Sequence, residues 1–243
     1  MWGYQEDSKR AVGCYESPLL LKINGKDQIV YGANGYACGL EPRTGKPIWE
    51  YVPDPKDAKG GIFGYAPMTD GTNVIVTTAY LSNRKAQTSS CCPQGLKIEN
   101  GVAQVVWDAD YNALWGDGIL KNGYVYTFSA DGLYSSWRST FRCVDAKTGT
   151  SKWVQERTGC GTLVEVDNCL LCLTYGGDLW LVDPSPDGFK KIAEWKLPIE
   201  HEKWVVAGAP DIPILPFWTV PVVARGKLYV RYSDLLVCYD LMK

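Results

Sequence analysis

Cys143-Val144-Asp145-Ala146-Lys147-Thr148-Gly149-Thr150-Ser151-Lys152-Trp153 reads as a short apolar strand that closes on an acid, turns on Thr-Gly and returns on a tryptophan. The same order stands at Glu41, Thr44, Gly45 and Trp49. Looser copies run through Asn100, Gly101 and Trp107, and through Asp183, Gly188 and Trp195, while Asp240 opens a further one. A chain reversal needs a short acceptor side chain at its start and a residue that tolerates positive φ at its end, which the acid and the glycine supply. The tryptophan then lies on the returning strand, where its large apolar surface can key one sheet onto the next. Trp49, Trp107, Trp153 and Trp195 are therefore the expected docking residues between sheets.

Upstream of each turn a Gly or Asn turn leads into an apolar run. Gly25 precedes Ile29 to Tyr31, Gly71 precedes Val74 to Val76, and Gly123 precedes Tyr124 to Tyr126; Asn168 precedes Leu170 to Leu173, and Gly226 precedes Leu228 to Val230. Positions 25, 71, 123, 167 and 226 as markers give steps of 46, 52, 44 and 59 residues, near the roughly 40 to 50 of a propeller blade. A shorter apolar run stands ahead of each marker, three of them opened by Pro18, Pro67 and Pro221. Proline lacks an N–H and suits the start of an edge strand, which an innermost blade strand is. No long stretch repeats apolar residues at helical spacing, so very little helix is expected.

The pattern predicts an all-β propeller of four-stranded antiparallel blades, about five of them, in a single domain over 1–243. The blades fall near 17–51, 65–108, 116–156, 161–197 and 217–240.

Three stretches carry a family resemblance: Cys143 to Trp153, Gly176 to Asp183 with Pro186 to Phe189, and Trp218 to Asp240. They resemble the pyrroloquinoline quinone-like (quinoprotein alcohol dehydrogenase-like) β-propeller repeat proteins, from about Gly13 to Asp240. Leu228 to Arg231 followed by Cys238 to Asp240 are similar to that family's closing blade. The family usually has seven or eight blades, which leaves two arrangements open. Either Met1 to Tyr4, with Trp2 as docking residue, supply an outer strand after Asp240 and close a five-bladed ring, or the chain is the C-terminal part of a longer propeller.

With 243 residues, 46% hydrophobic content, ten Trp and fifteen Tyr, the chain can bury a sizeable core. A net charge of -2 and dispersed basic residues exclude a nucleic-acid stripe, and no apolar run reaches the length of a membrane span. Met1 to Arg10 lacks the apolar run of a signal peptide, although the resemblance implies a periplasmic or exported protein. The nine cysteines are odd in number and scattered, and most read as small buried hydrophobes. Cys169 and Cys172 have the spacing of a metal knuckle but fall within one strand, and Asp108, Asp110 and Asn112 imitate a calcium loop that Ala113 and Ile119 break. No metal site is expected.

Cys91 beside Cys92 is the sharpest chemical signal. The resemblance implies that adjacent cysteines can form a ring over pyrroloquinoline quinone, and the pair sits in an expected long loop from Ala79 to Gly95. Pro93, Gln94 and Gly95 depart from the family's continuation, and the calcium-holding carboxylates cannot be assigned residue by residue; Asp117 and Asp131 read as turn formers. His201, the single histidine, has no nucleophile motif near it in the sequence.

Binding features remain. Tyr15, Tyr65, Trp115 and Trp218 stand where loops enter the innermost strands, around one mouth of the channel, and would suit a flat ligand or a peptide. The longest interruption, Leu197 to Phe217, carries four prolines with His201 and Trp204 and is the candidate partner loop. The sequence reads as a non-catalytic scaffold, without cofactor, for a protein or polysaccharide partner. The alternative is a quinone-dependent alcohol or sugar dehydrogenase, or a fragment of one, with pyrroloquinoline quinone and calcium near Cys91 and Cys92.

Overall fold

The computed structural model describes residues 17–33, 36–52, 66–82, 89–109, 118–130, 139–198, 204–206, 209–214, 219–232 and 235–242, with Met1, Gly3, Tyr111 and Ala113. The described residues form strands and turns and no helix.

The first sheet is β1 (Leu19–Ile23), β2 (Lys26–Ala33), β3 (Tyr36–Leu40) and β4 (Pro47–Tyr51), and the second is β5 (Met68–Thr69), β6 (Asn73–Ser82), β7 (Ser89–Glu99) and β8 (Val102–Asp108). The third is β9 (Ile119–Lys121), β10 (Tyr124–Ala130), β11 (Ser139–Asp145) and β12 (Ser151–Glu156). The fourth is β13 (Gly161–Val166), β14 (Cys169–Thr174), β15 (Asp178–Asp183) and β16 (Lys190–Lys196). Each is an antiparallel meander in which spatial order follows chain order. After β17 (Trp204–Val206) and β18 (Ala209–Ile214), which pair only with each other, comes a fifth sheet of three strands: β19 (Val222–Ala224), β20 (Lys227–Tyr232) and β21 (Leu235–Asp240). These sheets are the blades of a propeller, as the repeat implied. The fifth differs from the four-stranded expectation, since no fourth strand is found for it among the described residues. Met1 is fully exposed and outside any strand, and Trp2 and Tyr4 lie outside the described residues.

The recurring turn is built as its residues require. Glu41 Oε2 accepts the Arg43 and Thr44 N–H groups at 3.0 and 2.6 Å, and the Gly45 N–H returns to the Glu41 carbonyl at 2.8 Å. Asp145 Oδ1 accepts the Lys147 and Thr148 N–H groups at 2.9 and 3.2 Å, and Gly149 N–H returns to the Asp145 carbonyl at 2.8 Å. Gly45 and Gly149 share φ 70°, a conformation that strains any residue with a Cβ. The hydrogen bonds from Thr44 and from the Arg43 backbone hold the Glu41 carboxyl below its ordinary range.

Each turn delivers a tryptophan through a β-bulge. The pairing of strand three with strand four slips by one residue between Gly39 and Leu40, between Gly95 and Leu96, and between Cys143 and Val144, just before Trp49, Trp107 and Trp153 join the ladder. Trp49 lies opposite Gly39 and Trp107 opposite Gly95. A Cβ at either glycine would fall 2.2 Å from the indole nitrogen, so the ring lies flat on a bare backbone. Trp107 then donates to the Ala146 carbonyl of the next sheet's turn at 3.1 Å, and Trp153 to the Ser185 carbonyl of its next sheet at 2.8 Å. Trp49 donates to Gln28 at 2.8 Å and packs its ring with Val74, Val76, Leu96 and Ile98 of the second sheet.

Trp195 departs from this arrangement. The bulge of the fourth sheet falls between Leu181 and Val182, so Ala193 takes the position after it. Trp195 pairs one pleat further along, against Leu179, whose side chain leaves no bare backbone to lie on. The ring is 45% exposed and leans edge-on against Tyr239 of the fifth sheet at 4.8 Å.

Between the sheets lie apolar layers. Tyr126, Phe128, Phe141 and Cys143 of the third sheet meet Leu163, Leu170, Trp180 and Val182 of the fourth, with Phe189 edge-on to Phe141, Trp153 and Trp180. Leu173, Leu179 and Leu197 meet Leu228, Val230 and Tyr232 of the fifth. Trp49→Ala and Trp107→Ala should each cost about 3 to 5 kcal/mol in urea unfolding, and Gly95→Ala roughly 1 to 3 kcal/mol by lifting the indole. Trp195→Ala should cost about 1 kcal/mol, and equal losses at all of these positions would overturn the docking geometry.

Candidate functional site

Where β10 runs toward Ala130 and β11 starts at Ser139, and at the matching strand ends of the fourth sheet, the buried side chains change character. Thr127, Ser129, Ser139, Thr158, Thr162 and Thr174 are all buried. They arise from strand alternation. Along β10 the residues Tyr126 and Phe128 face the fourth sheet, while Val125, Thr127 and Ser129 face the second.

On that second face sits Arg142, 9% exposed. Its Nε donates to Ser129 Oγ at 2.7 Å, Nη1 to Ser151 Oγ at 3.2 Å and Nη2 to Thr140 Oγ1 at 3.1 Å. The guanidinium also lies 4.5 Å from the centre of the Tyr111 ring, in the segment that joins the second and third sheets. A guanidinium stays protonated throughout the accessible pH range, so this group orients and binds rather than exchanges protons. Nearby, Ser139 Oγ and Cys160 Sγ are 2.7 Å apart, and Thr158 Oγ1 donates to the Ser139 carbonyl at 3.4 Å. In the fourth sheet Lys196 Nζ bridges Asp178 Oδ1 at 2.8 Å and the Gly176 carbonyl at 2.6 Å, and Thr174 donates to Asp178 Oδ2 at 3.0 Å.

Burial tunes Cys143, Cys160 and Cys172 away from chemistry. Burial pushes Cys143 up to about 11 against the opposing pull of the Tyr126 hydroxyl. It also raises Cys160 and Cys172, and a raised thiol is a poor nucleophile at neutral pH. Cys143, Cys160, Cys169, Cys172 and Cys238 are free thiols, and Cys169 and Cys172 stand apart in β14, opposite Val166 and Leu163.

The expected long loop around Cys91 and Cys92 is shorter than its sequence implied. Ala79 to Ser82 belong to β6 and Ser89 to Gly95 to β7, with Tyr80 paired to Cys91 and Ala79 to Cys92 in an antiparallel ladder. Asp117 and Asp131 lie outside the described residues, and among the described residues no three His, Cys, Asp or Glu side chains are grouped to hold a metal. Tyr15, Tyr65, Trp115, Trp218 and His201 also lie outside the described residues, while Trp204 opens β17 opposite Ile214, so part of the expected partner loop is a hairpin.

The sequence reading missed Arg142 and its hydroxyl belt. It also missed Trp180, which donates to Glu194 Oε1 at 2.9 Å with the Lys191 ammonium 4.5 Å above its ring. The alternation of hydroxyls with aromatics over Tyr126 to Ser129 was the available signal.

No protein-family model and no curated protein matches the chain. Solved structures do. A quinohemoprotein alcohol dehydrogenase from Pseudomonas putida HK5 superposes with a TM-score of 0.60 at 14% identity, over 100% of this chain and 44% of that one. Sqt1 of Saccharomyces cerevisiae gives 0.56 at 8% identity over 91% and 59%, and the computationally designed Ika8 protein gives 0.54 at 13% over 89% and 56%. The fold is a β-propeller. At these identities the likeness is one of fold, and the chain spans 44% to 59% of the lengths of these structures.

Two outcomes follow from the thiols. Because the folded Cys143 pKa is raised from 9.0 to about 11, its stabilisation is complete below pH 9 and disappears as the pH climbs through 11. Thermal melts should therefore fall steeply above pH 9, and less so for Cys143→Ala; identical alkaline profiles would disprove the linkage. A thiol reagent at neutral pH should label exposed Cys238 ahead of Cys143 and Cys172, which react only on unfolding.

Proposed function

We propose that this chain is a non-catalytic propeller of the quinoprotein-like superfamily, acting as an assembly scaffold for a protein partner in an exported or periplasmic setting. One observation carries the reading. In the third sheet Tyr126 stands opposite Cys143, and both are wholly buried against the fourth sheet. In the fifth sheet Tyr229 stands opposite Cys238 in the same way, yet Cys238 is exposed. On the same face Leu236 is 67% and Val222 55% exposed. Cys238, Leu236 and Val222 share this face with Arg231 and Tyr229 and have no cover among the described residues, and exposed apolar side chains grouped on one face are the mark of a surface made for contact. Its aliphatic side chains favour a dry protein interface over a polysaccharide.

Titrating the purified protein with pyrroloquinoline quinone and calcium should leave the melting temperature unchanged and produce no dye-linked alcohol oxidation. A saturable rise in melting temperature with turnover would replace the scaffold with a quinone-dependent dehydrogenase. A partner retained by the wild-type protein should be lost on Leu236→Lys with Val222→Lys; retention by that variant would remove the fifth sheet from the contact.

A further inference from the structure

The third sheet is a complete version of what the fifth sheet builds in part. Their registers superpose residue by residue: Tyr126 opposite Cys143 and Phe128 opposite Phe141 correspond to Tyr229 opposite Cys238 and Arg231 opposite Leu236. Ile119 opposite Tyr126 corresponds to Val222 opposite Tyr229. The corner after the third strand matches as well. The Ala146 and Lys147 N–H groups donate to the Gly123 carbonyl and to Asp145 Oδ1 at 3.0 and 2.9 Å, and those of Leu241 and Met242 to the Gly226 carbonyl and to Asp240 Oδ1 at 2.8 and 3.0 Å.

In the third sheet this framework seats an indole. Trp153 of β12 stands opposite Cys143, and its ring centre lies 5.7 Å from that of Phe141 and 6.2 Å from that of Tyr126. Trp49 takes the same position in the first sheet, opposite the residue two before the acid, and Trp107 takes it in the second, opposite Gly95. In the fourth sheet Ala193 stands there, but β15 itself carries an indole, Trp180, into the adjoining layer. β20 and β21 carry none. No strand pairs with the outer side of β21 among the described residues, and Cys238 and Leu236, the counterparts of the wholly buried Cys143 and Phe141, are exposed.

We propose that β21 accepts, antiparallel, an extended strand of a protein partner that carries a tryptophan, its indole seated opposite Cys238 against Tyr229 and Leu236. Backbone pairing along the strand edge supplies affinity, and the seat selects the side chain. The occupant is read from the molecule itself, which fills the equivalent position with a tryptophan on a fourth strand in three of its sheets. This rests on the fifth-sheet face being the contact surface and adds the kind of element that docks on it.

β12 supplies the probe. A fluorophore-labelled peptide of residues 150–156, Thr-Ser-Lys-Trp-Val-Gln-Glu, should bind the purified protein saturably in an anisotropy titration. Binding should slow alkylation of Cys238, followed by mass spectrometry, and amide exchange along Leu235–Asp240. Trp153→Ala in the peptide should weaken binding by about tenfold or more. An added strand turns alternate N–H groups toward its neighbour, so of two peptides N-methylated on the two alternate sets of residues, one should lose binding and the other keep it. Equal behaviour of those two overturns strand pairing and leaves the fifth-sheet face standing as a side-chain contact. No binding of the parent peptide, or binding that leaves Cys238 alkylation unchanged, also overturns the proposal. A partner lost on Leu236→Lys with Val222→Lys would then still mark the face as the contact surface, so the two readings fail separately.

Discussion

The architecture depends on an indole laid flat across a strand that offers it no side chain. Opposite Gly39 and Gly95 the backbone is bare, so Trp49 and Trp107 can drop onto it. From there Trp107 reaches past its own sheet to a carbonyl in the turn of the next. The ring thus belongs to two sheets at once. Its apolar faces bury surface within one, and its single polar atom is satisfied by the other, which removes the penalty of burying an unpaired N–H. The bulge that precedes Trp49, Trp107 and Trp153 aims the ring, and in the first and third sheets the acid-to-glycine turn sets the tryptophan four residues beyond its glycine. Turn, bulge and tryptophan are one device repeated along the chain.

The fold was legible because that device is local. An acid, a Thr-Gly pair and a tryptophan fall within a dozen residues, and their spacing states the hairpin directly. The fourth sheet shows how such a reading goes astray. Trp195 keeps the order acid, glycine, tryptophan, yet the longer Pro184 to Phe189 connection shifts the bulge, and Ala193 inherits the docking position. Only the register reveals it. The candidate site was harder to read because its pieces are far apart in sequence. Arg142 meets Ser129, Ser151 and Tyr111 through contacts that no short motif encodes, and a buried arginine looks the same in sequence as an exposed one.

The interior also separates two kinds of contact. The interface between the third and fourth sheets is aromatic and thiol-bearing, with ring against ring from Phe128 to Phe189. The opposite face of the third sheet is aliphatic toward the turn end and becomes a ladder of hydroxyls around a guanidinium toward the loop end. A hydrogen-bonded guanidinium fixes orientation more strictly than apolar packing does, because its donors lie in one plane at set angles. The guanidinium consequently ties β10, β11 and β12 together at this end and holds the Tyr111 ring of the connecting segment over them.

The face of the fifth sheet that no described residue covers has a consequence for motion. In a chain whose sheets touch chiefly their neighbours, cooperativity is a nearest-neighbour property, much as in a row of coupled magnets. The third sheet is clamped from both sides. The fifth, among the described residues, is joined on one side, to the fourth, through the layer of Leu173, Leu179 and Leu197 and the Trp195–Tyr239 contact. Its amides should exchange with solvent through openings that leave the central sheets intact, so the molecule unravels from this end inward rather than all at once.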